Sequence, residues 1–425
     1  MARTRPQTFR VFRVGGSVRD ELLGRPDADR DFVVVGATPE LMIASGYRPV
    51  GRDFPVFLHP DTQEEYALAR TERKHGRGYR GFEFFASPEV TLEEDLVRRD
   101  LTINAMARGD DGILVDPFGG AADLAAGILR HVSAAFAEDP LRVLRVARFA
   151  ARFGFSIAPE TAALMRVIVD SGELATLSPE RIWQELAKGL SEAHPSRLLV
   201  TLRECGALAA LLPEVDALYA VSQSTRDRAV TNAGDNVARA LDWGAAHGLG
   251  LAARYATLAH DLGIAVRPLR VEARQAERRR AGLRLAQQLS ARLRVPQECA
   301  DAAHLTVRWH HVIHRAAELR PAPCLDLFNG TDALRRPERL DVVLDAATAV
   351  ACSPPDALQD YPPAAVLRKA LAVVRDIDAG AIARGVAAGA TQRGASGRAR
   401  DSGEAIAKAV RSARLKALRA WRRAS

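Results

Sequence analysis

Two aspartates one residue apart, Asp29 and Asp31, stand at the start of an apolar β-branched run, Phe32-Val33-Val34-Val35. In a strand, side chains at i and i+2 share a face, so the two carboxylates are expected side by side. At that separation they repel unless a cation lies between them. Hard oxygen donors of this kind suit Mg²⁺, which is held by one or two carboxylates together with substrate phosphates. Upstream lies Gly15-Gly16-Ser17-Val18-Arg19-Asp20. Gly16 lets backbone approach a phosphate closely, and Arg19 can neutralise it. The combination predicts a metal-dependent phosphoryl-transfer site, against the plainer reading of a solvated turn with two acids at a strand start.

Three further stretches carry chemistry. Arg70-Thr71-Glu72-Arg73-Lys74 runs into a glycine-bearing charged segment ending at Gly81, which reads either as a hairpin tip or as a mobile arm closing on an anion. Arg98-Arg99-Asp100-Leu101-Thr102-Ile103-Asn104-Ala105 offers arginines for phosphate and Asp100 or Asn104 for a sugar hydroxyl. Glu138-Asp139-Pro140 opens a helix in which Arg145, Arg148 and Arg152 fall within roughly a 60° arc. With no acid nearby in sequence, those three arginines repel one another unless an anion sits there. Asp139 and Arg142, three apart, are neighbours on the helix surface and have the donors and acceptors needed to read a base edge.

These residues need a scaffold, and the pattern supplies one. Short β-like runs at Phe9–Val14, Phe32–Val35, Phe54–Leu58, Glu65–Ala69 and Gly81–Phe85 alternate with helical pieces. Thr38 caps one such piece, with Pro39 at its first position. From about residue 138 helix follows helix, rich in Ala, Leu and Arg. The expected fold class is α+β: an α/β head at 9–137, then helical modules at 138–225 and 226–345. A basic region at 346–425 follows, partly disordered around 379–403, with an amphipathic helix at Ile406–Trp421. The 425 residues carry a net charge of +8 with 26% charged residues, which favours a polyanionic partner. Cys205, Cys299, Cys324 and Cys352 lie far apart, which excludes a zinc ribbon and suits a reducing cytoplasm. No uninterrupted apolar run is long enough for a membrane span, and the N-terminus lacks the apolar core of a signal peptide.

In combination these strings resemble the bacterial class II tRNA nucleotidyltransferases, the CCA-adding enzymes of the multifunctional type. The shared motifs are GGxVRD…DxD (Gly15 to Asp31), RTERK (Arg70–Lys74), RRDxTINA (Arg98–Ala105), EDxxR (Glu138–Arg142) and PERxWxE (Pro179–Glu185). The resemblance runs from about Phe9 to residue 330, and more loosely beyond. It implies a nucleotidyltransferase head followed by neck, body and tail, with template-independent addition and repair of the tRNA 3′-terminal CCA from CTP and ATP, releasing pyrophosphate. Asp29 and Asp31 would hold Mg²⁺. Gly16 and Arg19 would meet the triphosphate, and Arg99, Asp100 and Asn104 would position sugar and phosphate. Asp139 and Arg142 would pair with the base, and Arg145 and Arg148 would line the nucleotide pocket. The helical body and basic C-terminal region would grip the tRNA acceptor arm. A poly(A) polymerase, a partial CC- or A-adding enzyme, and an HD-type phosphohydrolase are the alternatives.

The multifunctional members also carry an HD phosphohydrolase domain. His260-Asp261 keeps its central pair, but the family's upstream histidine falls near Asp235-Asn236, and its lysine is replaced by Ile264. The histidine-rich stretch reads Gln275-Ala276-Glu277-Arg278-Arg279-Arg280, and His310-His311 stand where an aspartate is expected. One His-Asp pair leaves too few ligands for a catalytic metal, so a structural HD-like domain is expected. His310, His311 and His314 then belong to a partly exposed helix.

Overall fold

The computed structural model describes residues 9–25, 30–50, 56–74, 82–224, 230–266, 274–354, 360–392 and 399–424. Chain contacts separate two compact units, Met1–Pro213 and Glu214–Ser425.

The first unit opens with β1 (Arg10–Val14), α1 (Gly16–Leu22), β2 (Asp31–Val35), α2 (Pro39–Ala44), β3 (Arg48–Val50), β4 (Val56–Leu58) and β5 (Glu65–Leu68). Then come β6 (Arg70–Lys74), β7 (Phe82–Ala86), α3 (Leu92–Val97), β8 (Ala107–Gly109) and β9 (Leu114–Val115). Seven strands form one sheet in the order β3-β4-β5-β2-β1-β8-β9. Only β2 and β5 pair in parallel; the other pairings are antiparallel. The β-branched run of β2 sits near the middle because both its faces are covered. Val33 and Val35 pack with Val90, Leu92 and Leu96, while Val34 packs with Met42, Phe57 and Leu68. Pro49, which cannot donate to a ladder, lies on the edge strand β3. Thr38 caps α2 as expected, its hydroxyl accepting from the Leu41 N–H at 3.2 Å.

The RTERK stretch differs from its reading as a loop. Arg70–Lys74 is the strand β6, paired in register with β7 in a separate two-stranded ribbon. Composition alone pointed to a loop because the stretch is charged and carries no alternating apolar pattern. Residues 75–81 lie outside the described ones.

Helices follow: α4 (Gly120–Ala126), α5 (Leu141–Phe153), α6 (Pro159–Asp170), α7 (Pro179–Ser191) and α8 (Pro195–Glu204). α5 packs against α7 and α8, and its Val143, Leu144, Val146, Ala147, Ala150 and Ala151 are all buried. Gly154, in the left-handed region at φ 71°, ends it.

The second unit is almost entirely helical. Its main core gathers Leu325, Phe328, Leu340, Val343, Leu344, Leu367 and Val374. The basic helix expected at Ile406–Trp421 spans Ala399–Ala424 and docks on that core through Leu418. The expectation of disorder around 379–403 is corrected: Ala379–Gln392 is a helix, and 399–403 open the next one, with 393–398 outside the described residues. Alanine and arginine are strong helix formers, and that outweighs the glycines scattered among them. No helix among the described residues is long and apolar enough to cross a membrane.

Candidate active site

Asp31 opens β2 beside Val14 of β1 and stands exposed. Asp29 lies outside the described residues. The chain leaves β1 at Gly15, whose N–H donates to the Met106 carbonyl at 3.1 Å. Gly15 has φ 70°, and a β-carbon there would stand 2.8 Å from an Arg99 guanidinium nitrogen. Glycine is therefore required by conformation and by space. Gly16 then starts α1, which turns Arg19 inward until it is 97% buried, since its relative exposure is 3%. Arg19 donates from Nε to Asp20 at 2.9 Å and from a terminal nitrogen to the Asn104 side-chain oxygen Oδ1.

Asn104 is held by Asp100. The Asp100 carboxylate accepts from Asn104 Nδ2 and from the Leu101 N–H, both at 2.9 Å, and from Arg145 Nε at 2.7 Å. Burial by itself would raise its pKa. The Arg145 charge and the hydrogen bonds outweigh that and bring it down to about 2. A carboxylate with a pKa depressed on folding stabilises the fold above its unfolded value, near 3.9, and loses that contribution as pH falls through the folded value. The contribution is about 2–3 kcal/mol. Asp100→Asn should therefore be less stable than the parent by about this much from pH 8 down to about 4. The gap should shrink between about pH 4 and pH 2, as thermal melts across that range would register.

Arg145, Arg148 and Arg152 share a face of α5, as the spacing predicts, but each meets an acid from elsewhere in the chain. Arg145 pairs with Asp100, Arg148 Nε with Glu185 at 2.6 Å, and Arg152 with Asp20 at 2.9 Å. The expectation of three mutually repelling arginines is thus corrected, because the sequence does not reveal which distant acids the fold delivers. The helix that supplies Glu185 also anchors the base-reading pair. Ser178 caps α7, and Arg181 and Glu185, four apart, lie on one face of it. Arg181 donates to Asp139 Oδ2 at 3.0 Å, and the Leu141 N–H donates to Asp139 Oδ1 at 3.1 Å. Arg142 donates to the backbone carbonyls of Ala135, at 2.9 Å, and Arg98.

Asp95 is a further anchor that the motif reading passed over. Fully buried at the end of a Thr91–Glu94 capping box, it accepts from Arg98 at 2.7 Å and from Arg99 at 3.2 Å. Its position four residues before Arg99 on a capped helix was the available signal.

The described residues named from sequence come together. Asp31, Gly16, Arg19, Arg99, Asp100, Asn104, Asp139, Arg142, Arg145 and Arg148 all line one cleft of about 490 Å³. Its lining holds nine arginines against three aspartates. Adding Asp20, Asp95 and Glu185 behind the wall still leaves an excess of positive charge, so the cleft is built for a polyanion of nucleotide size. A carboxylate exposed among arginines supplies a hard oxygen donor, so the chemistry of Asp31 fits a divalent cation bound with phosphates.

Residues 11–130 match the family model described as the poly A polymerase head domain, and residues 154–219 match that described as the probable RNA and SrmB-binding site of polymerase A. The multifunctional CCA protein of Chromobacterium violaceum is 58% identical over 88% of this chain and 92% of its own length. That of Laribacter hongkongensis is 57% identical over 88% and 93%. Among solved structures, the Bacillus stearothermophilus CCA-adding enzyme in complex with CTP is 26% identical with a TM-score of 0.65, covering 95% of this chain and 88% of that one. The Thermotoga maritima CCA-adding enzyme, at 21% identity and a TM-score of 0.60 over 97% and 91%, shares the fold.

Proposed function

The chain belongs to the family of multifunctional CCA proteins, and from that membership we propose that it adds and repairs the 3′-terminal CCA of tRNA, using CTP and ATP without a nucleic-acid template. The observation that carries this reading is that ten residues from three separate stretches of sequence line one arginine-rich cleft. Asp31, with Asp29, would hold a divalent cation, Mg²⁺ in the bacterial cytoplasm. Bound there, the cation would activate the tRNA 3′-hydroxyl and steady the triphosphate.

The protein's own groups do the rest. Arg19 faces the phosphates, kept in place by Asp20 and Asn104. Arg99, tied to Asp95, reaches the same end of the cleft. Asp100 and Asn104 form a buried shelf for the ribose. Asp139 and Arg142 present an acceptor and donors to the base edge. Cytosine and adenine both carry an exocyclic amino group, whereas uracil and guanine carry a carbonyl there, so a carboxylate acceptor favours the first two. The helical body and the basic C-terminal helix would hold the acceptor arm through phosphates and shape.

The module around His260-Asp261 is read as lacking phosphohydrolase activity. In place of the family's upstream histidine, Asn236 accepts from Thr231 Oγ1 at 3.1 Å and from Arg239. Metal-stimulated hydrolysis of 2′,3′-cyclic AMP by the purified protein would overturn this.

Labelled CTP and ATP supplied with tRNA lacking its 3′ end and Mg²⁺ test the main activity. Ordered addition of two C and one A is expected. A long A tail, arrest after CC, or no incorporation would each select one of the rival activities.

A further inference from the structure

We propose that Phe153, stacked on Phe149, is a positioning residue for nucleotide addition: its ring face holds Arg19 in place for the triphosphate and leaves the guanidinium charge uncancelled. The inference rests on the nucleotide-addition reading above and names the residue through which the cleft secures its phosphate end.

Phe149 and Phe153 lie one turn apart on α5 and stack in parallel, their ring centroids 6.0 Å apart and their planes within 6°. Arg19 reaches both from α1. Its guanidinium carbon lies 5.4 Å from the Phe149 centroid and 4.9 Å from that of Phe153. Phe149 also carries Arg148, at 4.4 Å, and Arg145, at 5.7 Å. Phe153 carries Arg152 and Arg25, each at 5.1 Å. The pairs Arg148-Phe149 and Arg152-Phe153 repeat at four residues, which sets both rings on the side of α5 that meets Arg19.

Arg19 is almost wholly buried, and a buried guanidinium must be held by partners. Its acid is shared: Asp20 accepts from Arg19 Nε and from Arg152, both at 2.9 Å. A second carboxylate on Arg19 would fix the side chain but cancel the charge that a triphosphate needs. A ring face attracts a guanidinium through its quadrupole and has no net charge of its own. The stacked rings therefore restrain Arg19 and keep its charge for the ligand. Of the two, Phe149 is buried and lines the cleft, whereas Phe153, half-buried at the last position of α5, does not line it. An effect of Phe153 on nucleotide binding must then pass through the arginines it carries, of which Arg19 and Arg152 line the cleft.

Phe153→Leu and Phe153→Met keep an apolar side chain and remove the ring face, while Phe153→Tyr keeps it. The full-length variants, checked for native melting, are assayed with Mg²⁺ and tRNA lacking its 3′ end. Leucine and methionine should raise KM for CTP and for ATP alike by about five- to tenfold. They should change kcat by less than about twofold, because Arg19 meets phosphates bound before as well as during transfer. Inorganic pyrophosphate, titrated calorimetrically with Mg²⁺ and no nucleotide, should bind Phe153→Leu more weakly by the same factor. Phe153→Tyr should match the parent within about twofold on every readout. Pyrophosphate affinity unchanged in Phe153→Leu, a loss equal in the leucine and tyrosine variants, or a fall in kcat with KM unchanged overturns the proposal and leaves Phe153 to packing alone. The titration needs no turnover. A parent that fails to incorporate CTP and ATP therefore overturns the nucleotide-addition reading, while pyrophosphate binding still decides the role of Phe153.

Discussion

Replacing Asp31 with alanine is expected to abolish incorporation of both CTP and ATP, lowering kcat by about a thousandfold or more, while tRNA binding in a gel-shift assay changes by less than about twofold. The two effects separate because Asp31 stands exposed at the first position of β2, with the buried valines of that strand following it. Removing a surface carboxylate from such a position typically costs within about 0.5 kcal/mol of stability, so the strand and the arginines around the cleft persist. What disappears is a hard oxygen donor for the cation. Asp31→Asn, which keeps the shape and removes the charge, should behave almost as badly. Loss of tRNA binding along with activity would assign Asp31 to structure instead.

Asp139→Ala is expected to relax base selection more than it lowers the rate of addition. In the folded protein the Asp139 carboxylate is fixed from both sides, by the Leu141 N–H on one oxygen and Arg181 on the other. A fixed acceptor imposes a directional requirement on the base edge. Uracil or guanine would set carbonyl oxygen against carboxylate oxygen, leaving a buried acceptor unpaired at a cost of about 1–3 kcal/mol. Asp139→Ala removes that penalty, so the ratio of kcat/KM for CTP over UTP should fall by about 10–100-fold, read from single-nucleotide incorporation kinetics. Arg181→Ala should move the ratio the same way to a smaller extent, since it frees the carboxylate without deleting it. A loss of rate with unchanged selectivity would remove Asp139 from base recognition.

Much of the head was legible in the sequence because its signals are local. The β-branched run at Phe32–Val35 reads as a strand buried on both faces, and it lies inside the sheet with cores on either side. Thr38-Pro39 reads as a helix start and is one. The chemistry-bearing motifs were legible too, since each groups its residues within a few positions. What the sequence conceals is pairing at a distance. Asp20 and Arg152 are 132 residues apart, and Asp139 and Arg181 are 42 apart. No periodicity links such partners, so the arginine face of α5 looked unneutralised. The same blindness concealed the histidines of the second unit: expected on a partly exposed helix, His310 is buried, and His311 and His314 are half-buried. A His-Asp pair and two adjacent histidines some fifty residues later carry no common spacing, and only the packing of their helices brings Asp261 to His310 and His311.

The acids that hold the cleft arginines have an order of synthesis. Asp20, Asp95 and Asp100 precede the helix Leu141–Phe153, but Arg181 and Glu185 come after it. A chain still emerging from the ribosome, ended before Pro179, has made Arg148 without Glu185 and Asp139 without Arg181. In that interval Arg148 and Asp139 both stand without the partners they hold in the finished unit. Completion of α7 adds both anchors in a single helical turn. The pocket therefore takes its final shape only once α7 has docked on α5, since both anchors ride on that one helix.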